Sequence, residues 1–264
     1  MLRATGLVAG FGPNTVLHGV SFEVKRGEIA GIFGLNGAGK SVTLKVVCGL
    51  LQPWSGHVAL EGREVTRLEP EDRVRAGVGN LPQGRQVFGD LTVEQNLRLG
   101  AYTTRRQNRK AYAQQLDEMY TRFPVLGRRR RQLAGTMSGG EQASLAVARA
   151  LMSRPKLLLV DEPSAGLAPK VVEELFETLR QVNQSGVTIL LVEQNVTFGL
   201  KLVDTAHVMQ RGRIVYQGPV ATLGRSRLAA YLGVGRLLGQ ALDGKTAAAT
   251  GKKTRARVEG GKSA

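Results

Sequence analysis

Between Val16 and Val24 the apolar side chains fall at mostly alternate positions, the period of a strand with one buried face. Similar alternation runs through the first thirty residues. A further short strand is predicted at His57–Leu60, after the turn formers Pro53-Trp54-Ser55-Gly56. Glu28–Phe33 reads as a short apolar strand. Leu157–Val160 is an unbroken apolar run, as expected of a strand covered on both faces in a parallel sheet, and Val187–Val192 reads as another buried strand. Helical spacing takes over elsewhere. Val42–Val47 can continue as a helix, Thr92 and Gln95 form a capping box ahead of Asn96–Leu99, and Glu141–Leu151 is a helix stopped by Pro155. Val172, Leu175, Phe176, Leu179 and Val182 share one helical stripe that Gly186 closes. His207–Gln210 and Arg213–Tyr216 flank Arg211-Gly212 like the arms of a hairpin. Strands and helices in alternation predict an α/β fold. Residues 1–235 are expected to form the folded domain, with an inserted helical lobe at about 92–136. Residues 236–264 hold almost nothing apolar and are expected to be a disordered basic tail.

At 264 residues the chain can bury a substantial core. Its 42% hydrophobic and 22% charged residues are ordinary for a soluble globular protein. No apolar run approaches the ~18 residues needed to span a bilayer, and the N-terminus lacks a charged–apolar–small signal pattern. The expectation is a cytosolic chain that cannot by itself conduct anything across a membrane. The single cysteine, Cys48, excludes an internal disulfide and is expected to be a buried thiol. His18, His57 and His207 are scattered without metal-ligand spacing.

The net charge of +16 gathers in Arg105–Lys110, in Arg128–Arg131 and in the tail, which has seven Lys/Arg against two acids. Such runs are expected to be solvated faces or tails. Only 5% of residues are aromatic and none interleave with the basic runs, so no stacking platform for bases is formed. Attraction to anionic lipid headgroups fits this pattern better than nucleic-acid recognition.

The sharpest chemical signal is Gly34-Leu35-Asn36-Gly37-Ala38-Gly39-Lys40-Ser41, which fills every position of the G-x-x-x-x-G-K-[ST] pattern between a strand and a helix. The alternative is a glycine-rich turn that happens to carry Lys-Ser, and the flanking elements argue against it. Gly34, Gly37 and Gly39 are expected to allow backbone torsions that a Cβ forbids, letting successive N–H groups curl around a phosphate. The following helix adds its positive dipole end. Lys40 would place a charge on the β- and γ-phosphates, and the Ser41 hydroxyl would be a Mg²⁺ ligand. The pattern predicts a nucleoside triphosphate site.

The strand Leu157–Val160 runs into Asp161-Glu162. Ligands of open α/β sheets sit beyond the carboxyl ends of the strands, so both acids are expected to face the triphosphate. Asp161 is placed for Mg²⁺ and Glu162 for orienting or deprotonating the attacking water. Ser138-Gly139-Gly140, at the head of a helix, leaves bare amides beside a serine hydroxyl, a second anion site distinct from the first. Standing alone, it would equally serve as a flexible N-cap.

In this order, the motifs resemble those of the nucleotide-binding subunits of ABC transporters, over roughly residues 2–233. Gly34–Ser41 and Leu157–Glu162 look like the family's Walker A and Walker B, and Met137–Gln142 like its signature motif. The resemblance implies an ABC-type P-loop NTPase domain with an antiparallel β subdomain and a helical subdomain. It further implies an ATPase with ATP and Mg²⁺ as cofactors. Phe11, shortly before the first strand, is implied as the adenine-stacking aromatic. Leu35, Asn36, Ala38 and Val42 are implied as further nucleotide contacts. Gln83, in Leu81-Pro82-Gln83-Gly84-Arg85, matches the Q-loop, which senses Mg²⁺ and contacts the transmembrane partner. The implied assembly is a homodimer or a heterodimer with a second ATPase subunit. Each ATP would lie between the Walker A loop of one subunit and Ser138–Gly140 of the other. Transmembrane permease subunits, served indirectly by a solute-binding protein, would hold the pair on the cytoplasmic face of the membrane. No nucleic-acid partner is expected, and a soluble ABC ATPase working on ribosomes or DNA is the rival reading.

Two positions depart from the family pattern. Gln194 stands where most members have a switch histidine, and Ala168 where many carry a D-loop aspartate. Glutamine can hydrogen-bond a phosphate or a water but cannot become a cation. Val192-Glu193-Gln194 with Ser164–Pro169 is similar to the smaller ATPase subunit of branched-chain amino acid importers, and Pro82-Gln83-Gly84-Arg85 also resembles a urea-importing relative.

Overall fold

The N-terminal alternation becomes two long antiparallel strands, β1 (Leu2–Phe11) and β2 (Asn14–Val24), joined by a two-residue turn. Phe11 therefore closes β1 and does not precede the first strand as expected, because the pairing of Phe11 with Asn14 carries the ladder to the turn. β3 (Ile29–Phe33) is buried along its length and feeds α1 (Lys40–Cys48). β4 (Ser55–Leu60) and the short β5 (Arg63–Glu64) return to β1, giving an antiparallel sheet of order β2-β1-β4-β5. α2 (Pro70–Arg75) leads to β6 (Val78–Leu81). Both are too short to show a period, so the sequence pattern misses them.

Four helices follow: α3 (Val93–Gly100), α4 (Tyr102–Arg105), α5 (Arg109–Arg122) and α6 (Pro124–Arg128). Thr92 caps α3 with both capping-box bonds made, 3.2 Å from the Gln95 N–H and 2.8 Å back to the Thr92 N–H. Then come α7 (Gly139–Leu151), β7 (Leu157–Asp161), α8 (Pro169–Gln184), β8 (Thr188–Glu193) and the short α9 (Val196–Gly199). The chain closes on a hairpin of β9 (Thr205–Gln210) and β10 (Arg213–Pro219). Arg211 and Gly212 both take positive φ there, 46° and 72°, as a tight hairpin turn requires.

The second sheet has order β10-β9-β3-β8-β7-β6, with all neighbours parallel except the edge pair β10–β9. Leu157–Val160 and Ile189–Val192 are fully buried, which explains their unbroken apolar runs. The main core joins the two sheets. Leu7, Leu17, Val20 and Val58 of the first sheet and Ile32, Leu159 and Leu190 of the second gather with Leu44, Val46 and Val47 of α1. Helix α1 is thus the centre of the molecule.

The computed structural model describes residues 1–84, 86–105, 109–224 and Tyr231. Met1–Thr222 form one compact unit and Leu223–Ala264 a second. The basic tail expected at 236–264 lies outside the described residues, as do Arg106, Gln107 and Asn108 of the first basic cluster. Among the described residues no helix is long and apolar enough to cross a membrane. Cys48 is buried, and desolvation raises its thiol pKa.

Arg73 is a fully buried cation, although nothing in its surrounding residues marks it for the interior. Its guanidinium donates to the carbonyls of Val46 and Val47, both at 2.6 Å, of Thr66 at 2.7 Å and of Leu68 at 3.2 Å. Val46 and Val47 lie in the last turn of α1, so a cation sits on that helix's negative end, where the Val46 carbonyl also accepts from the Gly49 N–H at 3.3 Å. Arg73→Ala should cost about 3 kcal/mol or more in urea unfolding, because several buried acceptors lose their donor. Arg73→Lys should recover only part of this, since a single ammonium cannot reproduce the planar fork.

His207, on β9, is fully buried with its ring centroid 5.5 Å from that of Phe22. Desolvation pushes its pKa down to about 4, with the Gln217 side chain opposing slightly. The unfolded chain, with an ordinary histidine near pH 6.5, binds a proton that the folded state refuses. Stability from this residue is therefore complete above about pH 6.5 and declines as pH falls towards 4, by about 3 kcal/mol in all. Chemical denaturation of wild type and His207→Leu across pH 4–7 checks this: the variant should show the shallower acid slope.

Candidate nucleotide site

β3, β8 and β7 end together, with Phe33 beside Glu193 and Val192 beside Asp161 in the parallel register. The glycine-rich loop leaves β3 at Gly34 and enters α1 at Lys40. Gly37 and Gly39 have φ of +77° and +106°, as expected. Gly34 does not need a special torsion. Its constraint is space, since a Cβ there would collide with the Met209 carbonyl oxygen and lie 3.0 Å from the Ala38 methyl. The loop is held from the hairpin side too, where the Gly212 N–H donates to the Ala38 carbonyl at 2.9 Å. α1 starts on Gly39 without a side-chain cap, so the amides of its first turn are left to an anion.

Lys40 is 4% exposed. Its Nζ donates to the Leu35 carbonyl at 3.3 Å and lies 3.3 Å from Glu162 Oε1. The other Glu162 oxygen accepts from Gln83 Nε2 at 2.9 Å. Glu162 thus bridges the phosphate-loop lysine and the turn after β6. Its backbone sits at φ +43°, a costly conformation for a residue with a Cβ, and its N–H is tied to the Val192 carbonyl at 2.9 Å. Ser41 Oγ donates to Asp161 Oδ1 at 3.5 Å. Burial, then the adjacent Glu162 carboxylate, raises the Asp161 pKa, while Ser41 and Lys40 oppose the rise.

Glu162 and Gln194 line one cavity of about 370 Å³ with Ser164, Ala165, Glu193 and Asn195. Phe11 is half exposed at the end of β1, with Lys45 Nζ of α1 5.6 Å from its ring centroid. Leu35 and Asn36 are exposed, Ala38 is buried and Val42 is half-buried. At the head of α7, Ser138 Oγ accepts from the Glu141 N–H at 3.4 Å, and Glu141 Oε2 accepts from the Ser138 N–H at 2.9 Å. The serine hydroxyl is therefore engaged in a capping box, which Arg129 steadies by pairing with Glu141 at 3.0 Å. Among the described residues, no hydrogen bond or ion pair joins Ser138, Gly139 or Gly140 to residues 34–41. One chain keeps its two anion sites apart.

A family model described as ABC transporter matches residues 17–165. The chain belongs to the ABC transporter family. It is 48% identical over 213 residues to the high-affinity branched-chain amino acid transport ATP-binding protein BraG of Pseudomonas aeruginosa, a match covering 81% of this chain and 90% of that one. It is 40% identical over 219 residues to the probable branched-chain amino acid transport ATP-binding protein LivF of Archaeoglobus fulgidus, covering 83% and 92%. Among solved structures it resembles a nucleotide-free ATP-binding cassette from an ABC transporter, at 28% identity and TM-score 0.77 over 88% of this chain and 95% of that one. It also resembles a cassette in its ADP conformation, at 27% identity and TM-score 0.76 over 92% and 98%. It is an ATP-hydrolysing cassette that binds adenine nucleotide.

In this ABC cassette the glycine-rich loop 34–41, Asp161 and Glu162 after β7, Gln83 and Gln194 gather at the carboxyl ends of the central parallel strands. Ala168, at the D-loop departure, is the N-cap of α8 and supplies no side-chain cap. Two residues were passed over in the sequence. Lys45 had no signal beyond its helical position. Glu193 was visible only as an acid ending a buried strand. Gly34→Ala should disturb the Walker A loop by overpacking worth about 1–3 kcal/mol, read as an ATP affinity about tenfold weaker in calorimetric titration.

Proposed function

We propose that this chain is one of two ATPase subunits on the cytoplasmic face of an importer for branched-chain amino acids, driving separate transmembrane permease subunits. The names and identities of BraG and LivF support the substrate class, and they favour a transport subunit over a soluble ATPase on ribosomes or DNA. The observation that carries the mechanism is the position of Glu162, held between Lys40 and Gln83 at the head of the phosphate loop.

ATP enters with its phosphates against the amides of Gly37–Ser41 and its adenine against Phe11. The γ-phosphate competes with Glu162 for Lys40, because a multiply charged anion outbids a single carboxylate for a buried ammonium. That exchange frees Glu162 Oε1 to accept a proton from the attacking water. Gln194, across the same cavity, donates to the γ-phosphate or orients the water without adding charge. Ser41 and Asp161 offer two hard oxygens 3.5 Å apart, with Gln83 close by, and together they would hold Mg²⁺. The metal would supply charge neutralisation at the β- and γ-oxygens. Ser138–Gly140 of a second cassette, homologous or identical, completes the clamp from the far side of the nucleotide. Dimer closure and reopening then move the permease, which docks between the Q-loop and the helical segment Val93–Arg128.

Glu162→Gln should bind ATP as wild type does, accumulate as an ATP-bound dimer on gel filtration, and hydrolyse ATP about 10²-fold or more slowly. Turnover at the wild-type rate would remove Glu162 from this role. Co-purification with hydrophobic membrane subunits, and leucine uptake restored by reconstituting them together, test the transport assignment.

A further inference from the structure

Glu193 ends β8 in the middle of the parallel sheet and is 1% exposed. A carboxylate buried so completely is costly unless it is paired or hydrogen-bonded. Among the described residues no Lys, Arg or His forms an ion pair with it. Its partners are the backbone amides of Ser164 and Asn195, one on each oxygen, together with the Ser164 hydroxyl. Oε1 accepts from the Ser164 N–H and Oε2 from the Asn195 N–H, both at 3.0 Å. Burial raises its pKa, and the bonds from Ser164 and Asn195 oppose the rise.

These two amides belong to different loops. Ser164 lies two residues after Glu162, in a turn closed by the Ala165 N–H on the Glu162 carbonyl at 3.1 Å. Asn195 follows Gln194 and caps α9 by accepting from the Phe198 N–H at 3.3 Å. The Glu162 turn is therefore pinned twice to the end of β8: at its start through the Val192 carbonyl, and at Ser164 through the Glu193 side chain. Gln194 is fixed on both sides, by Glu193 in the sheet and by Asn195 on the same carboxylate.

We propose that Glu193 is a positioning residue for ATP hydrolysis: its carboxylate bridges the turn carrying Glu162 to the turn carrying Gln194 and so sets their separation across the shared cavity. The inference rests on assigning Glu162 to the attacking water and Gln194 to the γ-phosphate. Catalysis loses rate steeply when such groups drift, because the near-attack geometry is lost. A carboxylate suits the task where an amide does not, since both of its oxygens accept and neither donates.

Glu193→Gln in the full chain keeps the shape but turns an NH₂ group towards one of the two N–H donors. ATP affinity should stay within about twofold of wild type, since the phosphate loop is untouched, while kcat falls about tenfold or more. In a Gln194→Ala background the same substitution should lower kcat by no more than about threefold, because one of the groups it positions is already gone. Wild-type kcat in Glu193→Gln overturns the proposal, as does an equal fall in both backgrounds. If Glu193→Gln does not fold, Glu193→Asp decides the matter. It keeps the charge but is one methylene too short to span both turns, and it should lose about fivefold or more in kcat, whereas full activity overturns the bridge. Glu162→Gln and Gln194→Ala run alongside. If either hydrolyses ATP at the wild-type rate, the site assignment fails; if both are slow and Glu193→Gln is not, only the bridge fails.

Discussion

Everything in this cassette depends on holding one short helix still. Backbone amides bind a phosphate well only as a fixed array, because each is a weak partial charge and their effect lies in convergence. α1 has nine residues, too few to be stable alone in water. The fold supplies what the helix lacks. Two sheets enclose its apolar faces, the glycine loop and the β9–β10 hairpin fix its start, and Arg73 neutralises its end.

The charges at the ends of the central strands follow from the same burial. Lys40, Asp161 and Glu162 stand together in a partly dry environment, where an unpaired charge is expensive. They satisfy one another: Lys40 with Glu162, Glu162 with Gln83, Asp161 with Ser41. Under the proposed function these are the residues that would hold the triphosphate and its Mg²⁺, whose charge is greater than that of any one of their present partners.

The second anion site obeys a different constraint. Ser138 and Glu141 cap α7 reciprocally, so that helix is stable with no ligand present. That terminus is complete within its own helix and, among the described residues, has no hydrogen bond or ion pair to the loop 34–41, which is why the proposed function assigns it to the nucleotide of a second cassette.

Much of this was legible in the residues. The Walker A spacing, the apolar strand before Asp161-Glu162, the capping box at Thr92 and the Arg211-Gly212 hairpin are local patterns, set by torsion, hydrogen-bond reach and side-chain period. Local chemistry of that kind is written in consecutive positions, and the sequence by itself determined it. The tertiary structure alone decided the rest. Gly34 is required by the Met209 carbonyl, more than 170 residues away along the chain. Arg73 reads as one more charge in a polar helix until the fold closes α1 over it. Glu193 reads as the end of a strand until two turns from separate segments present their amides to its two oxygens. These roles arise from close approach between distant parts of the chain, and no periodicity or spacing encodes which backbone groups will arrive without partners.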